Sequence, residues 1–182
     1  MPARLAALLF AIAVCIKISN GRKYYGLISV EDSSFSNSRT SGIFVTGNGN
    51  VELKNNICVN NKRSGISFSE DADGKISGNL CKGNAACGIA IGDNAVVSIS
   101  ANTCSENKQG GILSESKSPI DVNDNNCFDN GMTGIEICSQ VNVSVIGNTC
   151  SRNAINGIYL RNGISGIVNK NNCFENQWQC ML

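Results

Sequence analysis

Along most of this chain apolar residues alternate with polar ones for three to five positions, and then the alternation stops at an asparagine or a glycine. One alternating pair is Ile28/Val30, and it returns as Val51/Leu53, Val97/Ile99, Ile120/Val122 and Val143/Val145. A second apolar place follows a glycine, at Gly42-Ile43, Gly65-Ile66, Gly88-Ile89, Gly111-Ile112, Gly134-Ile135 and Gly157-Ile158. The third is cysteine: Cys58, Cys81, Cys104, Cys127, Cys150 and Cys173 stand 23 residues apart, with Phe35 in that place one interval earlier. An asparagine stands two residues before each of these cysteines (Asn56 to Asn171) and another three after it (Asn61 to Asn176). Period-two alternation is the signature of a strand. Each 23-residue unit therefore predicts three short strands, around the Cys, at Gly-Ile-x-apolar and at apolar-x-apolar, with the repeated apolar residues on one face. Asn and Gly interrupt the segments too often for helices.

Three such strands cannot bury their apolar face alone. Stacking the units about 4.8 Å apart gives three parallel sheets around a common core, with like residues in ladders. The predicted fold is all-β: a right-handed, single-stranded parallel β-helix with 23-residue coils, six to seven of them, running without insertion from about residue 28 to the end. A ladder asparagine at a corner can bond backbone groups or its counterpart on the next coil. The leucine-rich repeat has a compatible period, and "VSVIGNTC" resembles its core. That repeat also needs an apolar residue three before the first aliphatic, where this chain has Asn48, Asp71, Asn94, Lys117, Gln140 and Gly163.

Composition narrows the chemistry. The 182 residues contain no histidine, which removes Ser-His-Asp and Cys-His catalysis and histidine metal sites. A net charge of +1, with scattered charges and few aromatics, gives no field or stacking platform for nucleic acid. The 26 asparagines and 19 glycines suit a chain of many tight turns. Ten cysteines contain no C-x-x-C zinc spacing, and their ladder geometry favours free, buried thiols over bridges, since in-register Cβ vectors run parallel. Free thiols point to a reducing compartment.

The chain divides into an apolar segment, residues 1–20, and the β-helix of residues 21–182. The apolar run from Leu5 to Ile16 has the length of a signal-peptide core and is short for a membrane span. It is read either as a signal segment, placing the protein outside the cell or in its envelope, or as a cap on the first coil, placing it inside. At the other end Cys180 and Met181 fall at the Gly and Ile places of a seventh unit, with no polar cap after them. That predicts a truncated rod, or end-to-end self-association through the last coil.

The pattern N-x-C-x-x-N-x-x-x-G-I, repeated every 23 residues over about 28–182, resembles the right-handed parallel β-helix repeat proteins of the carbohydrate-binding and sugar-hydrolase type. Related repeats occur in NosD-like proteins, in certain F-box adaptors and in the pectate-lyase-like superfamily. The resemblance implies the fold, and with it enzymes, binding modules and scaffolds alike. Enzymes of this kind use carboxylates, often with Arg or Lys and Ca²⁺, on an outward sheet face or beside a turn. The local acidic group here is Glu70, Asp71, Asp93 and Glu115, from one turn of three successive coils. It could bind Ca²⁺ through several oxygens, serve as a glycosidase acid/base pair, or be a solvated turn. The Gly-His-Gly signature of polygalacturonases is absent, and the paired Asp motifs are unmatched. The column after the repeated Ile reads Phe44, Ser67, Ala90, Leu113, Glu136 and Tyr159, a mixed face that could meet sugar rings or another protein, or be plain surface. The reading is a non-catalytic binding or scaffold module that presents flat faces to a polysaccharide or a protein partner. The alternatives are a polysaccharide lyase, hydrolase or epimerase, and a self-associating structural unit.

Overall fold

The computed structural model describes residues 3–5, 14–18, 26–161 and 163–181. Coil 1 consists of Leu27–Glu31, Ser34–Ser36 and Ile43–Gly47, and coil 2 of Asn50–Lys54, Ile57–Val59 and Ile66–Phe68. Coils 3 to 7 repeat this order, opening at Asp73, Val96, Ile120, Asn142 and Ser165. The first strand of each coil joins sheet A, the second sheet B and the third sheet C, and every pairing is parallel between neighbouring coils. Cys58, Cys81, Cys104, Cys127, Cys150 and Cys173 are direct partners in sheet B, as Ile43 to Ile158 are in sheet C. The predicted solenoid and its period are present.

The inward columns form one core. The Ile column from Ile43 to Ile158 and the thiols from Cys58 to Cys150 are fully buried. The corners on either side of sheet B are closed by asparagine ladders. In one, Asn79 donates its backbone N–H and its side-chain N–H to Oδ1 of Asn102 at 2.9 and 3.0 Å, and Asn102 repeats this on Asn125. The second ladder runs Asn61, Asn84, Asn107, Asn130, Asn153, Asn176 in the same way. Each amide thus satisfies buried backbone groups that the turn would otherwise leave unpaired. The corner between sheets C and A has no such ladder; Ala72, Ala95 and Val141 fill it with apolar atoms.

The left-handed conformation sits one residue before each ladder asparagine rather than on it. Asn55, Gly78, Ala101, Asp124, Gly147 and Lys170 share a φ of 53° to 70°, and Asn60, Glu106, Arg152 and Glu175 share one of 52° to 56° in the second column. The ladder amides are there for hydrogen bonding, not for tolerance of positive φ.

One core position shows how the repeat absorbs an irregular residue. Gly74 stands where Val51 and Val97 stand in the neighbouring coils. A Cβ there would lie 2.5 Å from the ring of Phe68 and 2.6 Å from the Val51 carbonyl, so the large ring occupies volume that a valine fills elsewhere. Gly74→Val should cost about 1–3 kcal/mol. Phe68→Leu in the same chain should recover part of that loss, measured as a coupling energy by urea denaturation of the four variants.

Both ends depart from the period. Ala3–Leu5 adds to sheet A with Ala3 opposite Ile28, and Val14–Ile18 adds to sheet C with Val14 opposite Ile43. Neither spacing is 23, and the middle of the Leu5 to Ile16 run lies outside the described residues. At the other end, Cys180 pairs with Ile158 and Met181 with Tyr159, so the expected placement of Cys180 beside Gly157 is off by one residue. The physical reason lies in the missing glycine: each coil from 2 to 6 brings a Gly backbone against its neighbour, and the last strand has none to offer there.

Candidate sheet-face site

The outer face of sheet C carries the column Phe44, Ser67, Ala90, Leu113, Glu136 and Tyr159, in direct register and all half-buried. Between coils 4 and 6 this face holds a groove of about 200 Å³, lined by Leu113, Met132, Glu115, Glu136, Cys138 and Arg161, with Cys87 and Gln109 at its other side. Strand periodicity turns Leu113 and Glu136 outward from the core. Cys138 and Arg161 follow the inward Ile137 and Leu160, where each strand gives way to its turn.

Polar contacts tie the groove together. Arg161 Nη2 lies 3.7 Å from Glu136 Oε1, and the Cys138 thiol donates to the same oxygen at 3.4 Å. On the far side the Cys87 thiol donates to Gln109 Oε1 at 3.6 Å. Burial and then the Glu136 carboxylate push the Cys138 thiol up to about 11, and burial pushes Cys87 to about 11. The thiolate is the nucleophile, so neither groove cysteine is armed for attack at neutral pH. Iodoacetamide should label Cys138 slowly at pH 8, and Glu136→Gln should speed labelling severalfold.

The four predicted acidic residues lie along one edge of sheet C, where it turns toward sheet A. Glu70, Asp71 and Asp93 stay exposed on the turn between sheets C and A. There Asp93 Oδ2 accepts the Glu70 N–H at 2.9 Å and Asp71 Oδ1 accepts from the Asn94 amide at 3.0 Å. Glu115 also lines the groove. Among the described residues, no group of three or more Asp, Glu or Cys side chains is gathered so as to hold a metal ion. Reading the repeat only for acids missed Arg161, Cys138, Met132, Cys87 and Gln109. Reading it sideways, by columns beside the repeated Ile, would have grouped them.

The ladder cysteines are a separate, sealed set. Cys58, Cys81, Cys104, Cys127 and Cys150 are free thiols, while Cys173 is disulfide-bonded. Thiol contacts with Cys104 and Cys150, together with burial, hold Cys127 well above the ordinary value of 9.0. The unfolded chain releases such protons from about pH 9, whereas the fold keeps Cys87 protonated to about 11. Stability should therefore be full below pH 9 and fall as pH rises toward 11. The urea midpoint at pH 10.5 against pH 8 checks this, with a shallower fall expected for Cys87→Ala.

A coiled rod of three parallel sheets, closed by asparagine ladders, defines a β-solenoid. The chain belongs to the family described as right handed beta helix region, which matches residues 11–145. Among solved structures it is similar to the A-module of the Azotobacter vinelandii mannuronan C-5 epimerase AlgE4, at a TM-score of 0.64 and 20% identity. That alignment covers 86% of this chain and 56% of the module, so the chain spans little more than half of its neighbour. At this identity the likeness is one of fold. No curated protein sequence matches the chain.

Proposed function

We propose that this protein is a non-catalytic binding module, a rigid rod that presents the outer face of sheet C to a macromolecular partner. The observation that carries this reading is the openness of that face. From coil 1 to coil 7 the described residues carry no inserted loop to wall the groove, and its volume of about 200 Å³ falls below the roughly 300–1,000 Å³ of enclosed ligand sites. Its thiols are held protonated, and its Arg161 faces the Glu136 carboxylate. What remains is an open surface of small, apolar and charged groups.

The enzyme reading has one specific support: Glu115, Glu136 and Arg161 share a groove on a rod whose structural neighbour is named as a mannuronan epimerase module. The two separate in a single assay. Purified protein is incubated with mannuronan and pectate, and products are followed by NMR and by absorbance of unsaturated ends. The binding-module reading expects no turnover. Turnover that disappears in Glu136→Gln or Arg161→Ala would overturn it.

A further inference from the structure

Charge is distributed across the sheet C face in a way the groove does not explain. Along the edge that follows sheet B stand Arg39, Lys62, Arg63 and Lys108, all exposed. Along the opposite edge stand Glu70, Asp71, Asp93 and Glu115, also exposed. Among the described residues none of the eight has an ion-pair partner of opposite charge. The face is therefore basic on one side and predominantly acidic on the other, where Lys117 and Arg161 also stand, with Phe44, Ser67, Ala90 and Leu113 between.

The rows match in height at coil 2 and in part at coil 4, where Lys117 stands beyond Glu115; Arg39 of coil 1 and Asp93 of coil 3 have no counterpart in their own coils. Lys62 and Arg63 flank the sheet C strand of coil 2 on one side, and Glu70 and Asp71 flank the same strand on the other. Lys108 and Glu115 flank the strand of coil 4 in the same way. From this we infer that the partner of the sheet C face is a second copy of the same chain, packed face to face about a two-fold axis parallel to the rod. The inference rests on the reading of that face as a binding surface. Such an axis reverses the strand direction and preserves height along the rod. It therefore sets the basic edge of one copy against the acidic edge of the other, coil 2 on coil 2 and coil 4 on coil 4. An isologous contact requires this self-complementarity. A polyanion would meet the acidic row, and a polycation the basic row. The small and apolar central column packs against itself, while the Glu136 side chains that meet near the axis each bring Arg161.

With so much of the complementarity in exposed charge, the dimer is salt-sensitive.

Sedimentation velocity over a concentration series tests this on the full chain. A monomer–dimer equilibrium is expected at about 0.02 M salt, with Kd at least about tenfold weaker at 0.5 M. Lys62→Glu/Arg63→Glu and Glu70→Lys/Asp71→Lys should each be monomeric alone and form a mixed dimer when combined. Circular dichroism confirms that both fold; if one does not, Lys108→Glu with Glu115→Lys replaces the pair. A monomer under all conditions would overturn the inference. So would association that grows past the dimer, or association indifferent to these substitutions, since either result would place the contact at the rod ends. Turnover of mannuronan is read separately, so failure of the dimer and failure of the binding-module reading are distinguishable.

Discussion

Asn102→Ala should lower the unfolding free energy by about 2–6 kcal/mol, a large share of the roughly 5–15 kcal/mol of an ordinary domain. Asn102 sits at 1% exposure in the middle of its ladder. Its Oδ1 accepts from the backbone N–H of Asn79 at 2.9 Å, and its Nδ2 donates to the carbonyls of Ile76 and Ser100 at 2.9 and 3.0 Å. Alanine removes the acceptor from the Asn79 N–H, which no water can reach, and withdraws a donor from Ile76. Each orphaned buried group costs about 1–3 kcal/mol. Asn102→Asp tests the same account from the other side. It keeps the acceptor but turns the donor into a buried carboxylate oxygen facing the Ile76 and Ser100 carbonyls, so at neutral pH it should cost at least as much as alanine. An aspartate milder than alanine would mean that the acceptor function dominates. Urea midpoints read out both.

How much of this was legible in the residues depends on whether a feature repeats. The inward columns do, because each coil presents the same environment to the same position, so period and alternation located the core, the thiol ladder and the asparagine corners. The outward positions do not repeat. Leu113, Glu136 and Tyr159 share a column while differing in chemistry, and Arg161 joins the groove from a coil away from Cys138. Sequence distance along the chain hid that neighbourhood, since residues 23 apart are about 4.8 Å apart in space. The acid group was found by its density, but density does not tell that Glu115 turns to the groove while Asp93 caps the Glu70 N–H. The last strand departs from the counted register by one residue for a related reason. A counted period assumes identical contacts, and the final coil lacks the glycine that sets them.

Gly111→Ala should cost about 3 kcal/mol, near the upper end of the range for overpacking, while the same substitution at Gly78 should cost about 1–2 kcal/mol, the left-handed penalty of an L side chain. The contrast separates two reasons for keeping glycine. At Gly78 the φ of +66° would seem to demand it, yet Ala101 holds the equivalent place one coil later with a φ of 54°. A Cβ at Gly78 would approach only Asn55 Oδ1, at the end of an exposed side chain that can swing aside. Gly111 has no positive φ to explain it. A Cβ there would lie 2.6 Å from the Gly134 carbonyl oxygen, 3.0 Å from Cys127 Cβ and 3.1 Å from Asn130 Nδ2. None of these atoms is free to move: the first is backbone of the next coil, the second is core, and the third belongs to a ladder. The added methyl can be housed only by lifting coil 4 from coil 5, which lengthens ladder and sheet bonds together. Thermal denaturation of the two variants checks the ranking. If Gly78→Ala proved the more damaging, backbone conformation rather than coil-to-coil approach would be what fixes glycine in this repeat.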